Sequence, residues 1–579
     1  MKKIFYLYLG LACSSLVILA SCRKAYEEVP LGQQIPLEIA FDEKDSAGTY
    51  ALRYLSTTYA EATLNNHNRI DQNYLDAASD DAISSQVKIS DVENIAKGAY
   101  TASNPNADNN WTRFWTSIRN ATVFTVMINR VPLNERLPDG RPARPAYRSE
   151  ARFLRAMLYF ELLKRYGGVP LLGDKIYQIN DDIQVPRSSF ADCVNYIVSE
   201  LDNIKDSLRT KENVNGTSYG RITKGAAMAL KTRVLLYAAS PLFNGGNIDP
   251  SNPLTGYTNA DPNRWKLAAD AAKDVMNLNS YALMPKFTDV FITQSAPVST
   301  NNETIYWRQN GNGTSVERAN APIGYRSSGS DGVTSPTQNL VNAFPMLNGL
   351  PISDPASGYD PNNPYANRDP RLKGTVFYNG MLWLNRNVET FTGGADRPGG
   401  ISQQTKTGYY LRKFMGNFET SSGGVYSDVT HDFIYIRYAE VLLNYAEAMN
   451  EFSGPSSEIY DILHQLRQRA GIEAGADGNY GIASNLTKEQ MRDAIRNERR
   501  VELAFEEHRF FDIRRWKIAE TVMNQQLTGV NIQRTSSGFD SYDYVNVFTP
   551  KFRAPAMYLY PIPYDEVVKN SNMKQNPGW

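Results

Sequence analysis

Apolar residues recur every third or fourth position at both ends of this chain and lose that period in the middle. Asp45–Leu64, with Tyr50, Leu52, Tyr54, Leu55 and Tyr59, predicts a first helix. Thr112–Arg130 predicts another, with Ile118, Ala121, Thr122, Thr125 and Ile128 at helical spacing. Just before it, Asn104–Asn110 is a polar run that cannot pack a core and that delivers Trp111 to the helix start. Tyr147–Tyr166, YRSEARFLRAMLYFELLKRY, is apolar on more than one face, so it must be packed on both sides, and Gly167-Gly168-Val169-Pro170 ends it. Phe190–Leu208 follows, then Lys224–Ala239, capped by Thr223 and rich in alanines that permit close helix approach, then Arg264–Leu278. From Pro241 to Thr430 Gly, Pro, Asn, Ser and Asp take over, with short strand-like runs at Glu303–Arg308 and Gly374–Tyr378. Helical order returns at Ile436–Glu451 and Ser457–Ala470, with Gly471 as the C′ residue of the latter.

The most telling stretch is Met491–Trp516, MRDAIRNERRVELAFEEHRFFDIRRW. Thr487 and Gln490 are spaced for a capping box, Leu486 is placed to staple onto Met491, and no Gly or Pro interrupts the run, which predicts one continuous helix. One stripe of it carries Ile495, Glu498, Glu502, Phe505, Arg509, Asp512 and Trp516. A stripe alternating apolar bodies with charges needs partners from elsewhere in the chain. Glu498 and Glu502 resemble a glycosidase pair only superficially. Such a pair flanks the scissile bond and its acid needs a raised pKa, whereas both of these share one helix face with Arg499, Arg500 and Arg509 nearby. The reading that fits is a structural ion-pair network of Glu498, Glu502, Arg509 and Asp512.

Met1–Ser21 reads as a leader, with Lys2 and Lys3 before the apolar run Ile4–Ala20. Leu19-Ala20-Ser21-Cys22 resembles a bacterial lipobox, which implies cleavage and a lipid on Cys22. No later apolar stretch is long enough to cross a bilayer. With 61 basic and 61 acidic residues, nothing suggests a nucleic-acid partner. Once Cys13 leaves with the leader and Cys22 carries lipid, Cys193 is alone, so no internal disulfide forms; its place on an apolar helix face predicts a buried thiol.

Signatures of catalysis are absent. The histidines His67, His431, His464 and His508 are not spaced for HExxH, and there is no P-loop. Gly216-Thr217-Ser218-Tyr219-Gly220 matches the letters of a nucleophile elbow but follows a polar loop instead of a strand. Asp354–Asp369 lacks the ordered ligand spacing of a calcium loop. The expectation is therefore no catalytic residue, no metal, and no cofactor beyond the lipid on Cys22.

Four segments, Glu150–Leu172, Ile436–Glu451, RNERRVELAFEEHRFFDIRRW and the tail YLYPIP…QNPGW, together resemble the SusD/RagB family of outer-membrane nutrient-uptake lipoproteins. The lipobox, Lys224–Ala239 and Asp369-Pro370-Arg371-Leu372 agree with it. The resemblance implies a mainly α fold of tetratricopeptide-like helix pairs with a loop-rich lobe containing short strands. Its helical scaffold would span about 40–240 and 431–579 and its ligand-facing lobe about 241–430, all within one domain over 22–579. It further implies a non-catalytic protein, lipid-anchored on the outer face of the outer membrane, that captures oligosaccharides for a SusC-like TonB-dependent transporter. Peptide capture of the RagB kind is the alternative, and a cell-surface glycoside hydrolase a more distant one. Sugar rings call for flat aromatics with a few polar groups, and the chain holds 35 Tyr against 23 Phe. On that basis Trp111 with Asn110, then Tyr325 and Trp383, are the candidate ligand contacts, while Trp307 and Trp516 read as core.

Overall fold

The computed structural model describes residues 36–579 apart from 64–65, 179, 215, 217, 293–300, 400–403 and 536–539; the expected leader and Cys22 lie outside the described residues. Helices α1 (Thr49–Ala62), α2 (Trp111–Met127), α3 (Ala143–Tyr166), α4 (Phe190–Ile204), α5 (Lys224–Ala239) and α6 (Asn263–Met276) each pack on the next in chain order. This is the helix-pair stack that the apolar stripes require. α3 is buried along nearly its whole length because α2 and α4 cover opposite sides of it. Cys193 of α4 is a buried free thiol, pushed up to about 11 by burial.

α7 (Tyr438–Ser453) continues the stack by packing on α6, although residues 277–437 intervene, and it also packs on α8 (Ser457–Ala470) and α9 (Lys488–Glu502). The helical scaffold therefore runs past the expected boundary near 241 to include α6. What leaves the stack is the segment between α6 and α7. Its base is closed by the antiparallel pair Thr304–Arg308 with Phe433–Arg437, where the chain exits and returns. A second pair, Ala82–Ser84 with Thr334–Pro336, ties this lobe to the connection between α1 and α2. A hairpin that the sequence reading left unassigned, Leu527–Arg534 with Asp540–Phe548, also reaches into it. There the Val530 N–H donates to Thr407 O at 2.8 Å and the Thr392 N–H to Ile532 O at 2.7 Å. Gly529 permits this approach, since a Cβ there would sit 2.6 Å from Thr407 Cα. The tail is pinned: Trp579 stacks on Tyr100 with ring centroids 5.2 Å apart, and the Asn576 amide donates to Tyr166 O and Tyr560 O.

The stretch 491–516 departs from expectation in one respect. The capping box at Thr487 and Gln490 forms and α9 starts there, but the helix stops at Glu502 and α10 (Arg509–Arg515) begins after a turn. Phe505 and Glu507 take positive φ, 62° and 61°. The cause is tertiary. Lys413 Nζ donates to the carbonyls of Glu502 and Ala504, Arg437 donates to the carbonyl of Glu502, and the Phe505 N–H donates to Asp76. Cations brought from the lobe and from the strand before α7 thus occupy carbonyls at the end of α9, and the backbone turns to present them.

Around that turn the carboxylates are matched one by one. Arg371 lies 2.6 Å from Glu498, 2.9 Å from Glu502 and 2.8 Å from Asp369. Arg467 pairs with Glu498 at 3.0 Å; Arg437 reaches Glu502 and Glu303 at 2.6 Å; Arg469 completes the shell of Glu502. Asp512 sits 2.7 Å from both Arg499 and Arg515, and Arg509 is 2.8 Å from Asp80. Burial alone would raise the pKa of Glu498 and Glu502. Arg371 and Arg467 outweigh it at Glu498, and Arg469, Arg437 and Arg371 do so at Glu502, so both carboxyls are held below the usual range.

Two outcomes follow. Arg371→Gln leaves buried Asp369 without a cation and removes one cation each from Glu498 and Glu502, and should cost about 3–5 kcal/mol of stability in urea unfolding, far more than loss of a surface pair. The folded pKa values of Glu498, Glu502, Glu506 and Asp512 are all lowered. Their contribution is therefore fully present above the unfolded values near about 4 and lost as pH falls through the folded ones. Urea midpoints should decline steeply on acidification below about pH 4, and less so in Arg371→Gln.

Candidate functional site

The polar run before α2 is a fastened loop. Asp108 is fully buried and takes Arg165 of α3 at 2.8 Å, Arg69 at 2.7 Å and the Tyr560 hydroxyl of the tail at 2.8 Å. Burial would raise its pKa, but Arg165 and Arg69 hold the carboxyl well below the usual range. Arg69 continues to Glu507, in the turn between α9 and α10, at 2.7 Å. Asn109 Oδ1 accepts from the Trp111 N–H and from the Tyr166 hydroxyl, starting α2. Asn110 stands at the N-cap, but its amide donates back to Asp108 O at 3.0 Å, so its side chain serves the loop.

Trp111 is placed by this loop at one end of an apolar groove of about 360 Å³ between α2, the segment 170–185 and the C-terminal residues 566–573. Its own ring is 4% exposed, wedged edge-on against Tyr166 with centroids 5.0 Å apart and against Trp115 at 5.7 Å. Trp115, half-buried, lines the same groove, and its Nε1 is buried without a hydrogen-bond partner. Tyr177 forms part of the opposite wall, its ring covered by Lys175 Nζ at 4.0 Å. The sequence reading missed Trp115 and Tyr177. The signal for Trp115 was its position one turn after Trp111 on the same face of α2.

A second cleft, about 440 Å³ and more polar, lies between α1 and the other side of α2. It is lined by Tyr50, Arg53, Tyr54, Glu61 and Asn120, among others. The Tyr54 hydroxyl donates to Asn120 Oδ1 at 3.2 Å, and the Asn120 amide donates to Glu61 at 2.5 Å. Arg119 lines both clefts, and its Nη1 donates to Tyr177 O at 2.6 Å. The two clefts therefore meet on the exposed face of α2, aromatic and apolar at one end and lined by hydrogen-bonding groups at the other.

The remaining candidates are elsewhere, within the lobe. Trp383 has no exposed surface: it packs edge-on against Phe377 and Phe418 and donates its Nε1–H to the Tyr426 hydroxyl. Contrary to the expectation of a ligand platform, it is a core residue, because the pair Leu382–Trp383 with Arg386–Asn387 folds it inward. Tyr325 is 5% exposed, donates to Arg386 O at 2.8 Å, and has the Arg386 guanidinium 4.1 Å from its ring centre. Its face is already covered. Trp307, by contrast, lines a cleft with Tyr219, which it meets edge-on, although most of its ring is buried. Glu498 and Glu502 are buried and held ionised by arginines, so neither can serve as a protonated general acid. Among the described residues no group of three or more His, Cys, Asp or Glu is arranged to hold a metal ion.

A sequence model of the SusD family matches residues 257–579, more than half of the chain and including the lobe, α7 to α10 and the tail. The chain belongs to the SusD family. A second model, described as starch-binding associating with outer membrane, matches residues 49–236. SusD-like protein P38 of Formosa agariphila is 22% identical over 459 residues, covering 77% of this chain and 79% of that protein. SusD-like protein P2 of the same organism is 38% identical over 149 residues, only 26% of each chain. A SusD-like protein from Bacteroides fragilis superposes with a TM-score of 0.75 at 27% identity, covering 94% of this chain and 100% of its own. A SusD-like carbohydrate binding protein from Bacteroides fragilis (TM-score 0.71, 23% identity, 91% and 99% covered) and a laminarin binding SusD-like protein (0.61, 20%, 92% and 99%) share the fold. In this SusD-family chain three of the four recognisable segments converge physically. α3, the turn after α9 and the tail all reach Asp108, directly or through Arg69.

Asp108→Asn removes the carboxylate that Arg165 and Arg69 share, leaving Arg165 with Glu161 and Arg69 with Glu507, and should cost about 3–5 kcal/mol in urea unfolding. Near-ultraviolet circular dichroism should change with it, because the loop sets the Trp111–Trp115 edge contact.

Proposed function

We propose that this SusD-family chain is a non-catalytic binding protein, lipid-anchored through Cys22 on the outer face of the outer membrane. It captures oligosaccharides and hands them to a SusC-like TonB-dependent transporter. The observation that carries the ligand class is the paired cleft along α2. A sugar ring offers an apolar face edged by hydroxyls, and a saccharide chain offers several in a row. Trp115 supplies flat apolar surface at one end, while Glu61, Asn120, Tyr54 and Arg119 supply donors and acceptors at the other. The segment matched by the starch-binding, outer-membrane-associated model contains both α1 and α2, which wall the more polar cleft. Two of the structural neighbours are named for carbohydrate or laminarin binding. The anchor is supported by the lipobox-like Leu19-Ala20-Ser21-Cys22, and no described helix is long and apolar enough to cross a membrane. The transporter partner rests on membership of the family.

Protein purified in mild detergent should give a reproducible hit on a glycan array and leave the bound glycan uncleaved. Trp115→Ala should weaken that binding at least about tenfold, roughly 1.4 kcal/mol, with little change in thermal stability. Binding to peptides alone would replace the sugar with a peptide. New reducing ends would replace capture with hydrolysis. A TonB-dependent barrel should co-purify from native membranes, and its absence would remove the delivery step.

A further inference from the structure

A fourth concave surface lies on the far side of the 491–516 stretch. It is a cleft of about 360 Å³ formed by α9, α10 and the residues just after them. Its charge is arranged unusually. Of the arginines from Arg492 to Arg515, six are bonded: Arg492 to Glu451, Arg499 to Asp512, Arg500 to Asp80 and Asp81, Arg509 to Asp80, Arg514 to two carbonyls and Arg515 to Glu447. Arg496 is the exception. Among the described residues it has no carboxylate at ion-pair distance and no hydrogen bond, and its Nε is buried without a partner. Its guanidinium is held 4.7 Å over the ring of Trp516, which is itself fixed by an Nε1–H bond to Glu447 at 2.7 Å.

The carboxylates close enough to influence Arg496 are already taken: Glu447 by Arg515 and Trp516, and Glu451 by Arg492. Asp493, on the cleft rim, is exposed. Arg500 and Arg509 line the same cleft and use Nε and Nη2 on Asp80 and Asp81, and neither Nη1 makes a hydrogen bond among the described residues. The other wall is Ile518, Thr521 and Val522. A guanidinium immobilised on an aromatic ring is pre-organised for two parallel bonds to an oxyanion, and a buried donor left unpaired is costly.

We infer that the Arg496 cleft is a binding site for an oxyanion, a carboxylate or a sulfate, carried on a small organic ligand whose apolar side lies against Ile518 and Val522. An acidic sugar has this chemistry, through a uronate carboxylate or a sulfate ester. The inference stands on this cleft alone and does not depend on the groove along α2.

The test is calorimetric titration of the detergent-purified protein with digalacturonate, with inorganic sulfate, and with neutral galactobiose as control. Saturable binding of digalacturonate or sulfate that weakens at least about tenfold in Arg496→Gln, and weakens as salt is raised, is the expected result. Digalacturonate binding assigns a carboxylate ligand, and sulfate binding without it assigns a sulfate ester. Thr521→Glu places a carboxylate at an exposed position of the same cleft. It should abolish binding without disturbing the fold, which keeps the test decisive where Arg496→Gln is unstable. Absence of saturable binding by either anion overturns the inference, as does unchanged affinity in Thr521→Glu.

Discussion

Burying a carboxylate costs several kcal/mol unless a cation and hydrogen bonds meet it, and this chain buries many of them around a single turn. Glu498, Glu502, Glu506, Glu507 and Asp512 lie within fifteen residues of one another in sequence, and the side chains of all five are nearly inaccessible to solvent. Asp512 is held by Arg499 and Arg515 of the same stretch, but the other cations come from elsewhere: Arg371 and Lys413 from the lobe, Arg437 from the strand that closes it, Arg467 and Arg469 from α8, and Arg69 from the connection after α1. A misdocked lobe would leave charges unpaired in low dielectric. The network therefore acts chiefly on which arrangement forms. Apolar replacements of equal volume stabilise as well or better in other proteins, so the charges are weak evidence for stability itself.

The same constraint explains what could and could not be read from the sequence. The helical stack was legible because an amphipathic helix writes its partner's position into its own period: α3, apolar all round, needed covering on two sides and is covered by α2 and α4. The capping box at Thr487 was legible because capping is local. The turn at Phe505 and Glu507 was not. No Gly or Pro marks it, and its cause is Lys413 and Arg437, 89 and 65 residues away from Glu502 in sequence. Tertiary demand overrode helix propensity there, at the cost of two non-glycine residues in the left-handed region.

The candidate site was legible only in part, for a different reason. Trp111 stood out because a loop delivers it, and the loop does so. Yet burial of a large aromatic depends on what folds over it. Trp383, in a segment rich in loop-forming residues, is enclosed by Phe377, Phe418 and Tyr426, whereas Trp115, on a regular helix, faces a groove. Punctuated sequence marks irregular backbone and does not by itself mark exposed side chains. The lobe has a packed aromatic interior, held further by a hairpin from the far end of the chain, whose alternating residues Leu527–Arg534 were the overlooked signal.

The groove and the charged turn are not independent. Arg69 bonds Glu507 through Nε and Asp108 through Nη1, so one side chain joins the turn between α9 and α10 to the loop that starts α2. Because Glu507 adopts its left-handed conformation only in the turn, a continuous helix over 491–516 would carry that carboxylate elsewhere and leave Arg69 with Asp108 alone. Asp108 would then be the one carboxylate left on Arg69, while Arg165 would keep Glu161 as well. The geometry that presents Trp111 and Trp115 to the groove thus depends on the lobe cations that bend the chain after Glu502. In this fold the groove-lining helix α2, the turn after α9 and the tail are joined through Asp108 and Arg69.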